Sequence, residues 1–260
     1  MHKSGIQYDF IIGIPRSGTT LLGLTLNQSK EIFLLLEFKL TLLLCSDLKN
    51  GNELKRTRTF LNSLNLSEKG SPYDISKEEI ANFIAKNYSD AESALKAILP
   101  KVSIKGFGQK EVKYIVEKNP GYSFKINHIK KNFPNSKMIW ATRDPRGFVN
   151  SKIEKKNPEN RIYNPYFLAY LWNEFHKKLM LNNVQNGDKM LVVKYEELVV
   201  DPETKINEVL SFLDINEDVK ELMSVSSTET MVKGMTLETK RKKVKFEDLK
   251  NPINQKRVFA

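Results

Sequence analysis

The stretch Phe10-Ile11-Ile12-Gly13-Ile14-Pro15-Arg16-Ser17-Gly18-Thr19-Thr20-Leu21-Leu22 decides the fold. A short apolar run meets Gly and Pro, and apolar residues then resume through Gly23-Leu24-Thr25-Leu26. That order reads as buried strand, tight loop, helix. Gly13 and Gly18 have the spacing of a phosphate loop, in which successive backbone N–H groups and a helix start converge on an anion. After Gly18 stands Thr19, not the lysine that reaches the β- and γ-phosphates in nucleoside triphosphatases. The positive charge lies inside the loop instead, at Arg16. A loop of this kind suits one phosphate bearing a further anionic group, contacted by an arginine and two hydroxyls, with no obligatory metal. The alternative is a glycine turn without a ligand. Pro15, Arg16, Ser17, Gly18, Thr19 and Thr20 occurring together between strand and helix argue against it.

Two more apolar runs repeat the theme. Met138-Ile139-Trp140-Ala141-Thr142 ends at Arg143-Asp144-Pro145-Arg146, and Met190-Leu191-Val192-Val193-Lys194-Tyr195 follows the turn signal Asn186-Gly187-Asp188. Between them a helix is predicted from Pro165 to about Asn183, with Asn164 as N-cap and Leu168, Leu171, Trp172, Phe175 and Leu179 on one face. Continuous apolar strands separated by helices predict an α/β fold: a P-loop-like parallel β-sheet flanked by helices on both faces. Ligands of such sheets bind at the carboxyl ends of the strands, where Gly13 to Thr20, Arg143 to Ser151 and Tyr195 all fall. One domain over residues 1–260 is expected, with a polar helical insertion at about 45–100 and a tail at about 225–260. The tail includes the basic run Lys240 to Lys245.

The 42 basic and 31 acidic residues leave a formal charge of +11, which admits a polyanion, an anionic membrane surface or an anionic small ligand as partner. A solvated surface explains many of the lysines equally well. One cysteine, Cys45, excludes an intramolecular disulfide, and with three histidines the chain is too poor in ligands for a usual zinc site. The apolar run Ile32 to Leu44 is broken by Glu37 and Lys39 and is too short to span a bilayer. With a polar Met1 to Asp9 segment, these features predict no transmembrane segment and a cytoplasmic location.

Ile14 to Leu22 resembles the 5′-phosphosulfate-binding loop of the sulfotransferases that use 3′-phosphoadenosine 5′-phosphosulfate (PAPS). MIWATRDPRGFVNS, Met138 to Ser151, resembles their 3′-phosphate motif, an arginine at a strand end and a serine eight residues later on the next helix. The matching residues are Arg143 and Ser151. An arginine offers a charge-assisted, potentially bidentate contact there, and the serine adds a hydroxyl on the same side. Arg143 as a structural ion-pair partner of Asp144 or of a helix carboxylate is the competing reading. Val193 to Pro202 resembles a strand-end segment of the family in which Tyr195 matches a nucleotide-contacting tyrosine, and Leu210 to Leu213 resembles the short helix that follows. The resemblance runs from about Phe10 to about Leu213. It implies PAPS as co-substrate, its desulfated product PAP, and no metal. Within the family it is strongest to the tyrosylprotein sulfotransferases and their bacterial relatives.

Sulfuryl transfer demands in-line positioning, charge stabilisation at the leaving phosphate and a base for the acceptor. The resemblance assigns the base to Glu37, with Lys39 as the basic residue that helps orient the site. An isolated carboxylate in apolar surroundings would have a raised pKa, which suits a general base; an exposed position on an amphipathic helix is the other reading. Glu117-Lys118-Asn119-Pro120 resembles a family motif whose lysine bonds the bridging oxygen as it leaves, and Lys118 is the match. Arg16 and the loop amides would stabilise the leaving phosphate. In the family a serine and a basic residue of a C-terminal segment close over the nucleotide; Ser227, in Ser227-Thr228, matches the serine and one of Lys240, Arg241 or Lys242 the basic partner, and the tail would then act as a lid. Families of this fold use either a histidine or a glutamate as the base; His2, His128 and His176 stand in no recognisable catalytic context, and His128 is the least easily dismissed of the three.

The insertion would shape the acceptor side, and the acceptor is a hydroxyl or amine of a carbohydrate, lipid, metabolite or tyrosine peptide. Two other functions compete. An ATP-dependent small-molecule kinase shares the loop but should carry the lysine after Gly18 and need magnesium. A polyanion binder would use the +11 charge and lose affinity steeply with salt; nucleic acid is not the expected partner.

Overall fold

Strand β1 (Gln7–Ile12) runs through the middle of a parallel sheet ordered β2-β3-β1-β4-β5, with β2 at Ile32–Leu36, β3 at Tyr114–Lys118, β4 at Met138–Thr142 and β5 at Met190–Lys194. The computed structural model describes residues 5–37, 40–49, 90–99, 112–153, 164–185 and 187–224. The strands are apolar on both faces because helices cover both. Tyr8, Phe10, Ile12, Phe33, Leu35, Ile115 and Trp140 point to a core completed by helices α2 (Leu40–Lys49), Ala91–Ile98, Ile126–Asn132 and Pro165–Gln185. Ile11, Leu34, Leu36, Val116, Ile139 and Val193 point the other way, against α1 (Thr19–Leu26) and the helices Tyr195–Val200 and Pro202–Phe212. Each such side chain taken from water stabilises the fold by roughly 1.5–3 kcal/mol.

The strand order places the site. From β1 the chain crosses to β2 on one side, and from β3 it crosses back over β1 to β4 on the other. The crevice beyond β1 and β4 is therefore where the connections diverge, and a ligand reaches the sheet there.

Several expectations from the sequence change in detail. The run Ile32 to Leu44 is two elements, β2 and the start of α2, parted by Glu37 in a left-handed conformation (φ 52°). Neither β2 nor β3 stood out as a strand, since β2 merges with the helix and β3 ends in the charged pair Glu117-Lys118. Part of the predicted insertion belongs to the core: Cys45, Ala91, Ala94 and Leu95 are buried under the sheet, while residues 50–89 and 100 lie outside the described residues. Around Leu210 the short helix is longer than expected. It spans Pro202–Phe212 and is capped by Asp201, which accepts from Thr204 N at 3.2 Å. The helix at Pro165 starts as predicted, with Asn164 Oδ1 accepting from Tyr166 N at 2.9 Å, and reaches Gln185. Residues 225–260, including Ser227 and Lys242, lie outside the described residues. Among the described residues no helix is long and apolar enough to cross a membrane.

Candidate active site at the carboxyl ends of the strands

The loop after β1 is shaped by close approach. At Gly13 (φ 146°) a Cβ would lie 2.2 Å from the Ala141 carbonyl oxygen of β4, so only glycine lets the loop pass this close to the neighbouring strand. The Gly13 amide donates to Ser123 Oγ at 2.8 Å, tying the loop to a 3-10 turn (Pro120–Phe124) that follows β3. Ser17 is fully buried, and its hydroxyl closes the loop by donating to the Ile14 carbonyl at 2.7 Å. Of the side chains predicted to meet an anion, Pro15 and Arg16 are exposed, Thr20 is half-buried and Thr19 is buried. Gly18 (φ 86°) caps α1, whose first turn has no side-chain cap and no acidic residue. The amides of that turn suit an anion.

The second cradle packs against the first. Arg143, buried at the end of β4, donates through Nη1 to the Arg16 carbonyl at 3.3 Å, and Arg16 Nε donates to Ser151 Oγ at 3.0 Å. The Arg143 guanidinium lies 4.4 Å above the Tyr195 ring, and the ring also lies close to Gly18: a Cβ there would be 2.5 Å from Tyr195 Cδ2. Asp144, named as the competing partner of Arg143, is engaged by Arg146 in a bidentate pair with both contacts at 2.9 Å. Those hydrogen bonds hold its carboxyl below the usual range. Arg16, Gly18, Arg143, Ser151 and Tyr195 thus form one continuous polar edge.

Two neighbours that brace Arg143 and the end of β4 carried no sign of that role in the sequence. Trp172 donates its indole N–H to the Arg143 carbonyl at 2.8 Å and stacks on His176 at 3.6 Å. His176 faces Thr142 Oγ1 at 2.6 Å through Nε2 and the Trp172 carbonyl at 2.7 Å through Nδ1. A ring nitrogen facing a carbonyl must carry the proton, so Nδ1 donates. Burial lowers the His176 pKa, and the imidazole braces β4 in its neutral form. Trp172 was legible as a core-facing residue, but its second role depends on where Arg143 ends β4.

Glu37 and Lys118 meet. Lys118 is 1% exposed at the last position of β3, and its Nζ donates to Glu37 Oε1 at 2.6 Å. The Glu37 amide donates to the Lys118 carbonyl at 2.7 Å, which continues the β2–β3 ladder by one bond. The premise of an isolated carboxylate in apolar surroundings therefore fails. Buried Leu36 ends the strand, the left-handed turn at Glu37 directs its side chain outward, and that side chain is 46% exposed beside an ammonium. Lys39 lies outside the described residues. His128 sits on the helix Ile126–Asn132, and His2 is outside the described residues.

Residues 10–219 match the sulfotransferase family. Protein-tyrosine sulfotransferase 1 of Danio rerio is 28% identical over 210 residues, covering 79% of this chain and 52% of the relative. Protein-tyrosine sulfotransferase A of Caenorhabditis elegans is 28% identical over 218 residues, covering 82% and 51%. The chain thus spans about half the length of the curated relatives it matches. Solved structures that share the fold include two sulfotransferase domains. A sulfotransferase domain of the curacin biosynthetic pathway has TM-score 0.57 and 20% identity, covering 86% of this chain and 79% of that one. The sulfotransferase domain of the Synechococcus PCC 7002 olefin synthase has TM-score 0.55 and 21% identity, covering 89% and 82%.

Proposed function

The chain belongs to the sulfotransferase family, and from that premise we propose that it moves a sulfuryl group from PAPS to an acceptor hydroxyl or amine without a metal. The observation that carries the reading is the Arg16–Ser151 contact at 3.0 Å with Arg143 on the Arg16 carbonyl. The glycine loop and the Arg143–Ser151 pair, far apart in sequence, make one surface with two positive centres. A nucleotide phosphorylated at both 3′ and 5′ positions presents the complementary pair of anions. Tyr195, close to Gly18 and beneath the Arg143 guanidinium, offers an aromatic wall beside them.

In this reading the acceptor proton passes to the Glu37 carboxylate as the new S–O bond forms. The bond from sulfur to the bridging phosphate oxygen breaks, and PAP leaves. Lys118 Nζ turns from Glu37 to that bridging oxygen as its charge grows, while Arg16 and the loop amides hold the 5′-phosphate. A donor aimed where charge develops is worth more in the transition state than in the ground state. The Lys118–Glu37 pair supports this assignment because each partner releases the other at the moment both are needed. Lys39, Ser227 and Lys242 keep the roles that the family resemblance implies. Among acceptors a tyrosyl hydroxyl is the first to test, given the tyrosine-sulfating names of the relatives.

Calorimetric titration with PAP in EDTA, set against ATP with magnesium and against Arg143→Ala, tests the reading. Metal-free binding of PAP that the variant loses is the expected result. Preference for ATP with magnesium, or no binding of either, would falsify it in favour of a kinase or a polyanion binder.

A further inference from the structure

Next to Lys118 on β3 stands Glu117, whose side chain leaves the opposite face of the strand. It is 0% exposed and gathers hydroxyls: Tyr8 donates to Oε2 at 2.7 Å, Thr41 donates to Oε2 at 2.6 Å, and Tyr122 donates to Oε1. The three donors come from β1, α2 and the 3-10 turn after β3. The titratable groups facing it are Tyr8, Tyr122 and, from α2, Cys45. Burial and the Glu117 charge push both phenols well above their ordinary value and the thiol up to about 12, so all three keep their protons. The core cluster around them is otherwise apolar, with Ile115, Ile126 and Phe133.

We propose that Glu117 is a positioning residue of the transfer site: by gathering the Tyr8, Thr41 and Tyr122 hydroxyls, its carboxylate holds the Gly13 turn and the Glu37–Lys118 pair in place. The proposal rests on the sulfotransferase reading above. Two of the hydroxyls, and the strand that carries Glu117, lead to working parts. Tyr122 neighbours Ser123, whose Oγ takes the Gly13 amide at 2.8 Å. Thr41 lies in the first turn of α2, the helix that starts just beyond Glu37. Lys118 is the next residue along the strand. A carboxylate has about four acceptor sites and no donor, so it suits three converging O–H groups. An amide has one oxygen, and at least one hydroxyl would have to turn away. Desolvation pushes the Glu117 carboxyl up to about 7, so ionising it costs the fold stability. A cost of that kind at the edge of a site fits a role in the site more than in the core.

The test uses the full chain and PAP as probe, with calorimetry and thermal unfolding on wild type, Glu117→Gln, Tyr122→Phe, the double variant and Phe133→Leu. Phe133 packs on Tyr8 and Phe10 in the same core and serves as a control for lost stability alone. Glu117→Gln and Tyr122→Phe are each expected to weaken PAP about tenfold, and the double variant no further, because both break one link. Phe133→Leu should stay within about twofold of wild type at a similar loss of melting temperature. The wild-type advantage over Glu117→Gln should shrink as pH falls from about 8 to about 6, as Glu117 takes up a proton; ionisation of PAP cancels in that ratio. Wild-type affinity in both single variants, an equal loss in Phe133→Leu, or a ratio indifferent to pH overturns the proposal and leaves the sulfotransferase reading standing. If Glu117→Gln does not fold, Tyr122→Phe and Phe133→Leu decide by the same criteria. Wild type that takes no PAP overturns both.

Discussion

At the carboxyl ends of the strands, Gly13, Arg16, Gly18 and Glu37 all adopt left-handed backbone, and Arg143, Lys118 and Glu117 are charged side chains out of solvent. At the amino ends the same kinds of group do a different job. Asp9 is fully buried there, and its Oδ1 accepts from Gln7 Nε2 at 2.9 Å and from the Lys137 amide at 2.7 Å. Lys137 Nζ goes on to Asp214 Oδ2 and the Phe212 carbonyl, both at 2.6 Å, and Glu31 pairs with Lys113. The one left-handed residue described at this end, Asp214 (φ 63°), closes the helix Pro202–Phe212. Polar contacts at the amino ends join one element to the next. At the carboxyl ends they converge on a shared edge, and backbone strain worth about 1–3 kcal/mol per non-glycine residue gathers there. The difference separates groups that hold the fold from groups that the fold holds for use.

The largest effect that would break this contrast is at Glu37. Glu37→Gln is expected to slow sulfuryl transfer to a tyrosyl-peptide acceptor by about 10²–10⁴-fold while leaving PAP affinity within about threefold. Unchanged transfer would return Glu37 to the class of surface ion pairs. Next comes Arg143→Ala, which removes a charge-assisted contact of about 1.5–3 kcal/mol and should weaken PAP roughly 10–100-fold in the same titration. Equal affinity would make Arg143 a brace between Arg16 and Tyr195. Gly18→Ala sets a Cβ against Tyr195 at positive φ. It should destabilise the chain by about 1–3 kcal/mol in urea unfolding and weaken PAP as well.

The smallest functional effect belongs to Asp9. Desolvation pushes its carboxyl from 3.8 up to about 6. The folded state then holds a proton that the unfolded chain releases, so this contribution to stability is complete below about pH 3.8 and is lost as pH rises through 6. A shift of that size is on the order of 3 kcal/mol. Wild type should therefore lose stability relative to Asp9→Asn between about pH 4 and pH 7, with PAP affinity equal in the two. Parallel stability curves would show that Asp9 is not the group responsible, and a change in PAP affinity would erase the distinction between the two ends.

Legibility followed the same division. Local features were readable: the glycine loop, the Asn164-Pro165 helix start, and the strands β1, β4 and β5, whose apolar runs adjoin turn signals. Strand β2 was hidden because Ile32–Leu36 flows into the apolar start of α2 with no glycine or proline between them. Strand β3 was hidden because Glu117 and Lys118 make its end look like a solvated loop, whereas both are buried. Of the site, Arg16, Arg143, Ser151 and Tyr195 were named in advance and do come together. Ser123, Trp172, His176 and Glu117 were not, since a lone serine, tryptophan, histidine or glutamate acquires its role from what faces it.

Chain order alone determined the residue types and spacings that bend the loop between β1 and α1, because glycine conformation and helix starts depend on neighbours within a few residues. It likewise determined the α/β class, through runs of apolar residues long enough for strands covered on both faces. Tertiary structure decided the pairings: Lys118 with Glu37, Arg16 with Ser151, Arg143 on Tyr195, and three hydroxyls on Glu117. Those contacts join strands brought side by side by the order β2-β3-β1-β4-β5. Which side chains share an edge is set by how apolar faces pack across the whole sheet, a long-range outcome that no local stretch encodes.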